Sequence, residues 1–145
     1  MSIERLGPTD LQRARRVFAV MDEVFDAGAE PLSDAYLTAL LDHDAFWVLG
    51  AFDGRAAVGG ITAHELPMTR HERSELFIYD LAVREDRQRR GIGRRLALAL
   101  VALAAEQGID VVFVAADDED GHALAFYEAI GGRPAPVTMF DLGSR

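Results

Sequence analysis

A glycine-containing turn surrounded by arginines is the segment of this sequence best suited to hold a phosphate group. Residues 88–93 read Gln-Arg-Arg-Gly-Ile-Gly and lie between a predicted strand and a predicted helix. Glycines let a ligand approach the main chain, and the amides at a helix N-terminus carry partial positive charge. Six arginines stand in or beside the turn: Arg84, Arg87, Arg89, Arg90, Arg94 and Arg95. The pattern predicts an anion site built from backbone amides and guanidinium groups.

Two common phosphate-binding motifs do not describe this turn. The ATP-type loop requires a lysine and then serine or threonine after its second glycine, and the chain contains no lysine. The dinucleotide-binding motif requires a third glycine, where Arg95 and Leu96 stand instead. Taken alone, Gly91 and Gly93 are also compatible with an ordinary tight turn into a helix. The residues around the turn must decide between these interpretations.

The overall charge excludes some classes of partner and ligand. The chain has 24 acidic and 15 basic side chains, a formal charge of −9, and a nucleic-acid binder instead needs a basic face. The excess of acidic groups favours a cationic partner or simply keeps the protein in solution. Cysteine is absent, which excludes disulfides and thiolate chemistry. We predict no metal site, because none of the histidines is spaced as a metal-binding pair: His43, His64, His71 and His122.

Length and hydropathy predict one domain in an aqueous compartment. With 145 residues, half of them hydrophobic, the chain can bury a single core, so we expect one domain over residues 1–145. No apolar run approaches the roughly 20 residues that a membrane helix needs. The N-terminus opens with charged residues rather than with the apolar core of a signal peptide. We therefore expect a cytoplasmic protein with no membrane partner.

Alternating helix and strand patterns surround the turn. Thr9 and Gln12 have capping-box spacing before an apolar helical repeat that ends near Phe25, and Ser33 can cap a shorter helix. The pair Asp53-Gly54 predicts a hairpin between two strands. The remaining predicted elements are strands over 46–52, 56–66, 75–83, 111–115 and 137–142, and helices over 92–107 and 121–130. Strand, helix and strand in succession predict that 75–83 and 111–115 pair in parallel.

Three segments together resemble the Gcn5-related N-acetyltransferase (GNAT) family. They are the strand end Leu81-Ala82-Val83, the turn over residues 88–93, and the helix from Ala123 to Gly131 that contains Tyr127. The resemblance implies an α/β (α+β) fold whose mixed, mostly antiparallel sheet is splayed at an acetyl-CoA site, with helices on both faces. It also implies a set of acetyl-CoA-binding residues: Leu81, Ala82, Val83, Gln88, Arg89, Arg90, Gly91, Ile92, Gly93, Arg94 and Asp120. For Asp120, a contact with the cofactor and a cap on the following helix are both open.

Within that family, the strand over residues 74–83 is most similar to the aminoglycoside 3-N-acetyltransferases of the gentamicin-modifying class. The run Tyr79-Asp80-Leu81-Ala82-Val83 carries most of this likeness. The resemblance implies acetyl transfer to an amine of a polycationic aminoglycoside. The acidic run at residues 117–120 has complementary charge for such an acceptor, although an acidic run is also typical of a solvated loop. The expected acceptor-binding residues are Glu75, Tyr79, Asp80, Asp117 and Asp141.

Two residues are candidates for the proton transfers that acetylation of an amine requires. Asp80 is a charged residue within an apolar strand, which is costly unless it faces a pocket, and it could take the proton of the acceptor ammonium. The competing interpretation places Asp80 at a solvent-facing position or a bulge. Family resemblance implies that Tyr127 gives a proton to the departing thiolate, whereas a helical tyrosine can also simply pack in the core.

Two further readings of the family resemblance remain open. The acceptor could be a different amine, such as a polyamine or a peptide terminus. The chain could also be a CoA-binding module that has kept the fold and lost turnover. Family precedent implies a homodimer.

Overall fold

The computed structural model of the protein describes residues 1–143, which form two compact units, residues 1–115 and residues 116–143. In chain order the elements of the first unit are β1 (Ser2–Arg5), α1 (Leu11–Phe25), α2 (Asp34–Asp42), β2 (Phe46–Asp53), β3 (Ala56–Pro67), β4 (Ser74–Val83), a 3₁₀ turn (Glu85–Arg87), α3 (Ile92–Glu106) and β5 (Val112–Val114). The second unit contains one helix, α4 (Gly121–Ala129), among its described residues.

The five strands form one mixed sheet in the order β1-β2-β3-β4-β5. The first four strands are antiparallel neighbours, and β5 runs parallel to β4. Helix α3 connects β4 to β5, as expected for a parallel pair that needs a crossover. Both the mostly antiparallel sheet and the parallel pair predicted from the sequence are confirmed.

The sheet opens where β4 continues beyond β5. Residues 76–78 of β4 pair with residues 112–114 of β5, and β4 then extends to Val83. Among residues 1–143, no strand pairs with Tyr79–Val83 on the side of β4 that faces β5. This stretch of β4 therefore has an edge without a neighbouring strand, which matches the splayed sheet that the family resemblance implies.

Two adjacent glycines show that helices cover both faces of the sheet. A Cβ atom added to Gly60 would lie 2.3 Å from Val17 of α1, whereas one added to Gly59 would lie 3.3 Å from Leu96 of α3. Successive residues of a strand point to opposite faces, so α1 lies on one face and α3 on the other. The missing side chain at Gly60 lets α1 sit close to the sheet.

Apolar side chains from both helices form the core against the sheet. Val17 of α1 and Leu96 and Leu100 of α3 are fully buried, as is Trp47 of β2. Burying one such aliphatic side chain contributes about 1.5–3 kcal/mol. Ser33 caps α2 as predicted, because its hydroxyl oxygen accepts a 3.1 Å hydrogen bond from the amide of Tyr36.

Two expectations about secondary structure are wrong, and one strand was not predicted. The capping box of Thr9 and Gln12 does not form, because α1 begins one residue later with Asp10 at its N-cap position, and the Asp10 carboxylate accepts from the Gly7 amide instead. No strand forms over residues 137–142, because an alternating apolar pattern does not by itself supply a neighbouring strand to pair with. Strand β1 was not predicted, because its four residues include only one apolar side chain, Ile3, and resemble a surface terminus.

Candidate functional site

A cavity of about 470 Å³ lies between α1, the segment that follows it, and β4. Arg15, Phe18, Asp22 and Phe25 recur at spacings of three and four residues, so they line the cavity from one face of α1. Residues of the 27–32 segment and Leu37 of α2 close other sides. The volume is in the range of small-molecule sites.

Asp80 is the one residue of β4 that lines this cavity within the described chain. Its side chain is half-buried, and burial raises the pKa of its carboxyl above the ordinary aspartate value. A carboxylate with a raised pKa accepts a proton more readily, as a general base requires. A pocket and a bulge were the alternatives for Asp80, and the structure has both. Asp80 lines the cavity, and β4 bulges at the preceding residue, Tyr79.

Carboxylates dominate the charge of the cavity. Asp22, Glu30 and Asp80 are acidic, and Arg15, the one basic lining residue among residues 1–143, is paired with Asp34 of α2. The Asp22 carboxylate also accepts a 2.9 Å hydrogen bond from the amide of Ala29, which fixes the segment after α1. Such a cavity favours a cationic ligand.

Sequence reasoning missed the contribution of α1 and residues 27–32 to this cavity. A signal was available, because Arg15 and Asp22 interrupt the apolar stripe of α1 seven residues apart, next to Phe18 and Phe25. Polar residues two helical turns apart on one face point to a shared surface. Nothing in the sequence, however, placed Glu30 beside them.

Two other expected acceptor-binding residues of β4 lie outside the cavity lining. Tyr79 is 63% exposed, and its ring makes edge contacts with the rings of His64 and Phe77. Glu75 lies near the start of β4, opposite Leu66 of β3. The cavity therefore brings Asp80 together with Asp22 and Glu30 rather than with these residues.

The predicted anion site has a distinct backbone geometry. Arg89 and Gly91 both have positive φ angles, of 65° and 78°, so the turn curls sharply before α3 begins at Ile92. Within residues 1–143, no side chain caps the first turn of α3. The amides that begin with Ile92 and Gly93 can thus face a bound anion, as at other helix N-termini.

The arginines beside the turn fall into two groups. Arg84 is hydrogen-bonded to Asp86 at 2.7 and 2.9 Å, and Arg87 to Asp53 at 2.8 Å. The hydrogen bond to Asp86 raises the pKa of Arg84, and the bond to Arg84 lowers the pKa of Asp86. In the same way, Arg87 lowers the pKa of Asp53. The other arginines are exposed at the turn and in the first turn of α3: Arg89, Arg90, Arg94 and Arg95.

Site residues predicted in the second unit are described by their own contacts. Asp120 caps α4, because its carboxylate accepts a 3.0 Å hydrogen bond from the amide of Ala123. Asp117 and Asp141 accept 2.9 Å hydrogen bonds from backbone amides two residues further on. Tyr127 lies in α4 with its ring edge-on to Phe126, and its carbonyl oxygen accepts from the amide of Gly132 at 2.8 Å.

The sequence model of the acetyltransferase (GNAT) family matches residues 11–131. This range includes both the turn and the splayed strand. The chain belongs to the GNAT family. It is an N-acetyltransferase, with a five-stranded mixed sheet and helices on both faces, as this fold requires.

Solved structures of two soil proteins resemble this GNAT acetyltransferase over its whole length. An aminoglycoside acetyltransferase from an uncultured soil metagenomic sample, in complex with sisomicin, is 32% identical, covers 99% of this chain and 96% of its own, and has a TM-score of 0.95. A second aminoglycoside acetyltransferase from such a sample is 36% identical, covers 99% of this chain and 98% of its own, and has a TM-score of 0.90.

More distant GNAT structures share the fold alone. An aminoglycoside N-acetyltransferase solved in complex with CoA is 15% identical, covers 98% of this chain and 93% of its own, and has a TM-score of 0.81. No curated protein matches the sequence. The part of the chain that the structure describes contains no cluster of three or more potential metal ligands, and none of its helices has the length and apolarity to cross a membrane.

Proposed function

We propose that the protein is an aminoglycoside 3-N-acetyltransferase, which transfers the acetyl group of acetyl-CoA directly to an amine of a polycationic aminoglycoside. The observation that carries this proposal is the acidic cavity that Asp80, Asp22 and Glu30 all line. Support for the acceptor comes from the 32–36% identity to two aminoglycoside acetyltransferases. The choice of the 3-amino group rests on the likeness of residues 79–83 to the gentamicin-modifying class.

The turn and the splayed strand fit acetyl-CoA, the cosubstrate that the family implies. Bound acetyl-CoA would supply a thioester carbonyl that is open to attack by an amine. The amides of Gly91, Ile92 and Gly93 and the exposed arginines after Gln88 would hold its pyrophosphate. The backbone of Leu81, Ala82 and Val83, along the part of β4 that β5 does not pair with, would receive the pantetheine arm, and its amides would polarise the carbonyl.

Asp80 would act as the general base. An aliphatic amine is mostly protonated near neutral pH, so its nitrogen has no free electron pair until a proton is removed. Asp80 takes that proton, directly or through water, before the nitrogen attacks the thioester carbonyl. As the C–N bond forms and the C–S bond breaks, the nitrogen releases a second proton to water and leaves as a neutral amide. Tyr127 returns a proton to the sulfur of the leaving group, a role that rests on the family resemblance.

Asp22 and Glu30 would hold the acceptor before reaction. An aminoglycoside carries several ammonium groups, so further carboxylates beside the base can bind the amines that do not react. We propose for Asp117 and Asp141 a similar contribution, although their carboxylates already accept backbone hydrogen bonds. Glu75 and Tyr79 would contact the part of the acceptor that extends beyond the cavity.

The remaining family expectations are part of the same proposal. Residues 1–145 would act as one catalytic domain, in the cytoplasm and as a homodimer. Arg94 and Asp120 would contribute to the cofactor site, Asp120 through the helix that it caps. No metal takes part in the reaction as written.

A polyamine or a basic peptide is the second candidate acceptor. An acidic cavity attracts any compact polycation, because charge alone does not distinguish a sugar from an alkyl chain. Bulk and shape would have to separate these acceptors in a cavity of about 470 Å³.

A thiol-release assay over a panel of acceptors tests the proposal. We expect release of free CoA with gentamicin or sisomicin and slower release with spermidine or a peptide amine. Nuclear magnetic resonance of the product should place the acetyl group on the 3-amino nitrogen. Fast turnover of spermidine with inert aminoglycosides would select the second candidate. Binding of acetyl-CoA without release for any acceptor would identify a non-catalytic module.

A further inference from the structure

A one-residue bulge interrupts the pairing of β3 with β4 immediately before Asp80. Thr62 pairs with Asp80 and Ala63 with Ile78, so two consecutive residues of β3 face three of β4. Tyr79 is the extra residue, and its side chain is largely exposed. Such a bulge leaves the ladder locally short of a hydrogen bond.

The bulge decides which face of the sheet carries the Asp80 carboxylate. Residues of β3 alternate between faces, so Gly59 and Ala63 point toward α3, while Gly60 and Thr62 point toward α1. Ile78 is opposite Ala63 and therefore lies on the α3 face. In an unbroken strand, Asp80 would lie on the same face as Ile78, away from the cavity.

The residues after the bulge confirm the change of face. Ala82 follows Asp80 by two positions and belongs to the core cluster that contains Val17 and Met21 of α1. Asp80 therefore faces α1 as well, and it lines the cavity there. One extra residue at Tyr79 thus moves the carboxylate from the α3 face to the cavity.

Thr62 satisfies the backbone group that the bulge displaces. Its hydroxyl oxygen accepts a 3.2 Å hydrogen bond from the amide of Asp80. The Thr62 side chain is 5% exposed, and it is the one buried polar side chain among residues 1–143. A hydroxyl in an otherwise apolar core is costly unless it is used, and here it bonds to the residue that lines the cavity.

We propose that Thr62 is a positioning residue, which holds the β4 bulge through the Asp80 amide and so sets the Asp80 carboxylate in the acceptor cavity. This inference rests on the proposed function, because it assumes that Asp80 is the base. Thr62 itself touches no reacting atom. Its hydroxyl acts only on the backbone of Asp80, so its loss should affect the rate of acetyl transfer more than the binding of acetyl-CoA.

Three substitutions at Thr62 separate the hydroxyl from the shape of the side chain. Thr62→Val keeps the shape and removes the acceptor, Thr62→Ser keeps the acceptor, and Thr62→Ala removes it with little steric demand if the valine variant does not fold. With the best aminoglycoside of the panel, we expect kcat to fall about tenfold in Thr62→Val. The KM for acetyl-CoA should stay within about twofold, and Thr62→Ser should restore kcat to within about threefold.

Val48→Ala is the matched control for lost packing. Val48 is buried and lies opposite Thr62 in the neighbouring strand β2, so its side chain is on the same face of the sheet. The Asp80 amide donates its hydrogen bond to Thr62, and the valine side chain has no group that could accept one. We expect a lower Tm and an unchanged kcat at a temperature well below that Tm. An equal loss of kcat in Val48→Ala and Thr62→Val would overturn the inference.

Asp80→Asn keeps this inference distinct from the proposed function. In the Asp80→Asn background, Thr62→Val should cause no further loss of kcat, because both changes act through one carboxylate. Full activity of Asp80→Asn alone would remove Asp80 as base and the role of Thr62 with it, whereas the aminoglycoside acceptor is decided separately by the thiol-release panel. Impaired Asp80→Asn with a fully active Thr62→Val would overturn only the role of Thr62.

Discussion

The side-chain amide of Gln88 donates a 3.0 Å hydrogen bond to the carbonyl oxygen of Val83. Val83 ends β4, the strand that carries Asp80, and Gln88 opens the turn that leads into α3. One hydrogen bond therefore connects the proposed pyrophosphate turn to the strand of the proposed base. The relative position of two ligands in a transfer reaction depends on such connections.

Gln88→Ala should weaken acetyl-CoA binding. Without the bond to Val83, the turn loses an anchor, and its amides are held less firmly for the pyrophosphate. We expect the KM for acetyl-CoA to rise about threefold to tenfold and kcat to change by less than about twofold, measured by steady-state kinetics in both substrates. Gln107→Ala, at the exposed end of α3, is the control and should behave as wild type. An unchanged KM in Gln88→Ala would contradict this role.

Arg90 and Arg87 should differ in their effect on acetyl-CoA binding. Arg90 is exposed at the turn, whereas Arg87 is engaged by Asp53. We expect Arg90→Ala to raise the KM for acetyl-CoA about threefold to tenfold in low salt, with a smaller effect at high ionic strength. Arg87→Ala should raise it less, and Arg70→Ala, in the exposed loop before β4, should not change it. The reverse order of Arg87 and Arg90 would contradict the assignment.

Local patterns predicted the elements that form the proposed cofactor site. The apolar strand that ends at Val83, the glycines of the turn and the helix from Ile92 all depend on residues close together in sequence, and the structure has each of them. The parallel pairing of β5 followed from the crossover rule alone. These features are decided by short-range chemistry.

The residues of the proposed acceptor site are brought together by long-range relationships that no local pattern states. Asp80 reaches the cavity because β4 bulges at Tyr79, and a bulge follows from pairing with β3 rather than from the β4 sequence. Asp22 and Glu30 line the same cavity as Asp80, although about 50 or more residues separate them from it in the sequence. The strand predicted over residues 137–142 failed for the same reason, since apolar alternation does not identify a pairing partner.

Asp80→Asn should change both stability and rate as a function of pH. Burial raises the pKa of Asp80, so the folded protein binds this proton more tightly than the unfolded chain does. The group therefore stabilises the fold below the ordinary aspartate pKa and loses that contribution as the pH rises through the raised pKa. We expect the Asp80→Asn variant to have the higher Tm at neutral pH, and this difference should shrink toward about pH 4.

The kinetic counterpart is a loss of the acidic limb in the pH profile of kcat/KM. Asp80→Asn should lower kcat about 100-fold, because asparagine cannot accept the ammonium proton. Asp118→Asn, at an exposed position of the acidic run, is the control for removing one negative charge. If the Asp80→Asn variant has a lower Tm than the wild type at neutral pH, the pKa of Asp80 is not raised in the folded protein.

Asp22 should combine a charge effect with a structural one. Asn can still accept the 2.9 Å hydrogen bond from Ala29, so Asp22→Asn removes only the charge, whereas Asp22→Ala also releases the wall of the cavity. We expect the KM for the aminoglycoside to rise about threefold in Asp22→Asn and further in Asp22→Ala, while the KM for acetyl-CoA stays constant. Asp42→Asn, at the exposed end of α2, serves as control. Equal KM values in all three variants would exclude Asp22 from acceptor binding.

Gly60→Ala should destabilise the sheet beneath the cavity. The new methyl group would lie 2.3 Å from a methyl carbon of Val17, so α1 has to move away from β3. We expect the free energy of unfolding to fall by about 1–3 kcal/mol, measured by urea denaturation. Gly7→Ala adds the same methyl group in open space and should cost less. Val17→Ala in the Gly60→Ala background should recover part of the lost stability, because it removes the clashing methyl group. If the double variant loses more free energy of unfolding than the two single variants lose together, the close approach of α1 is not the cause.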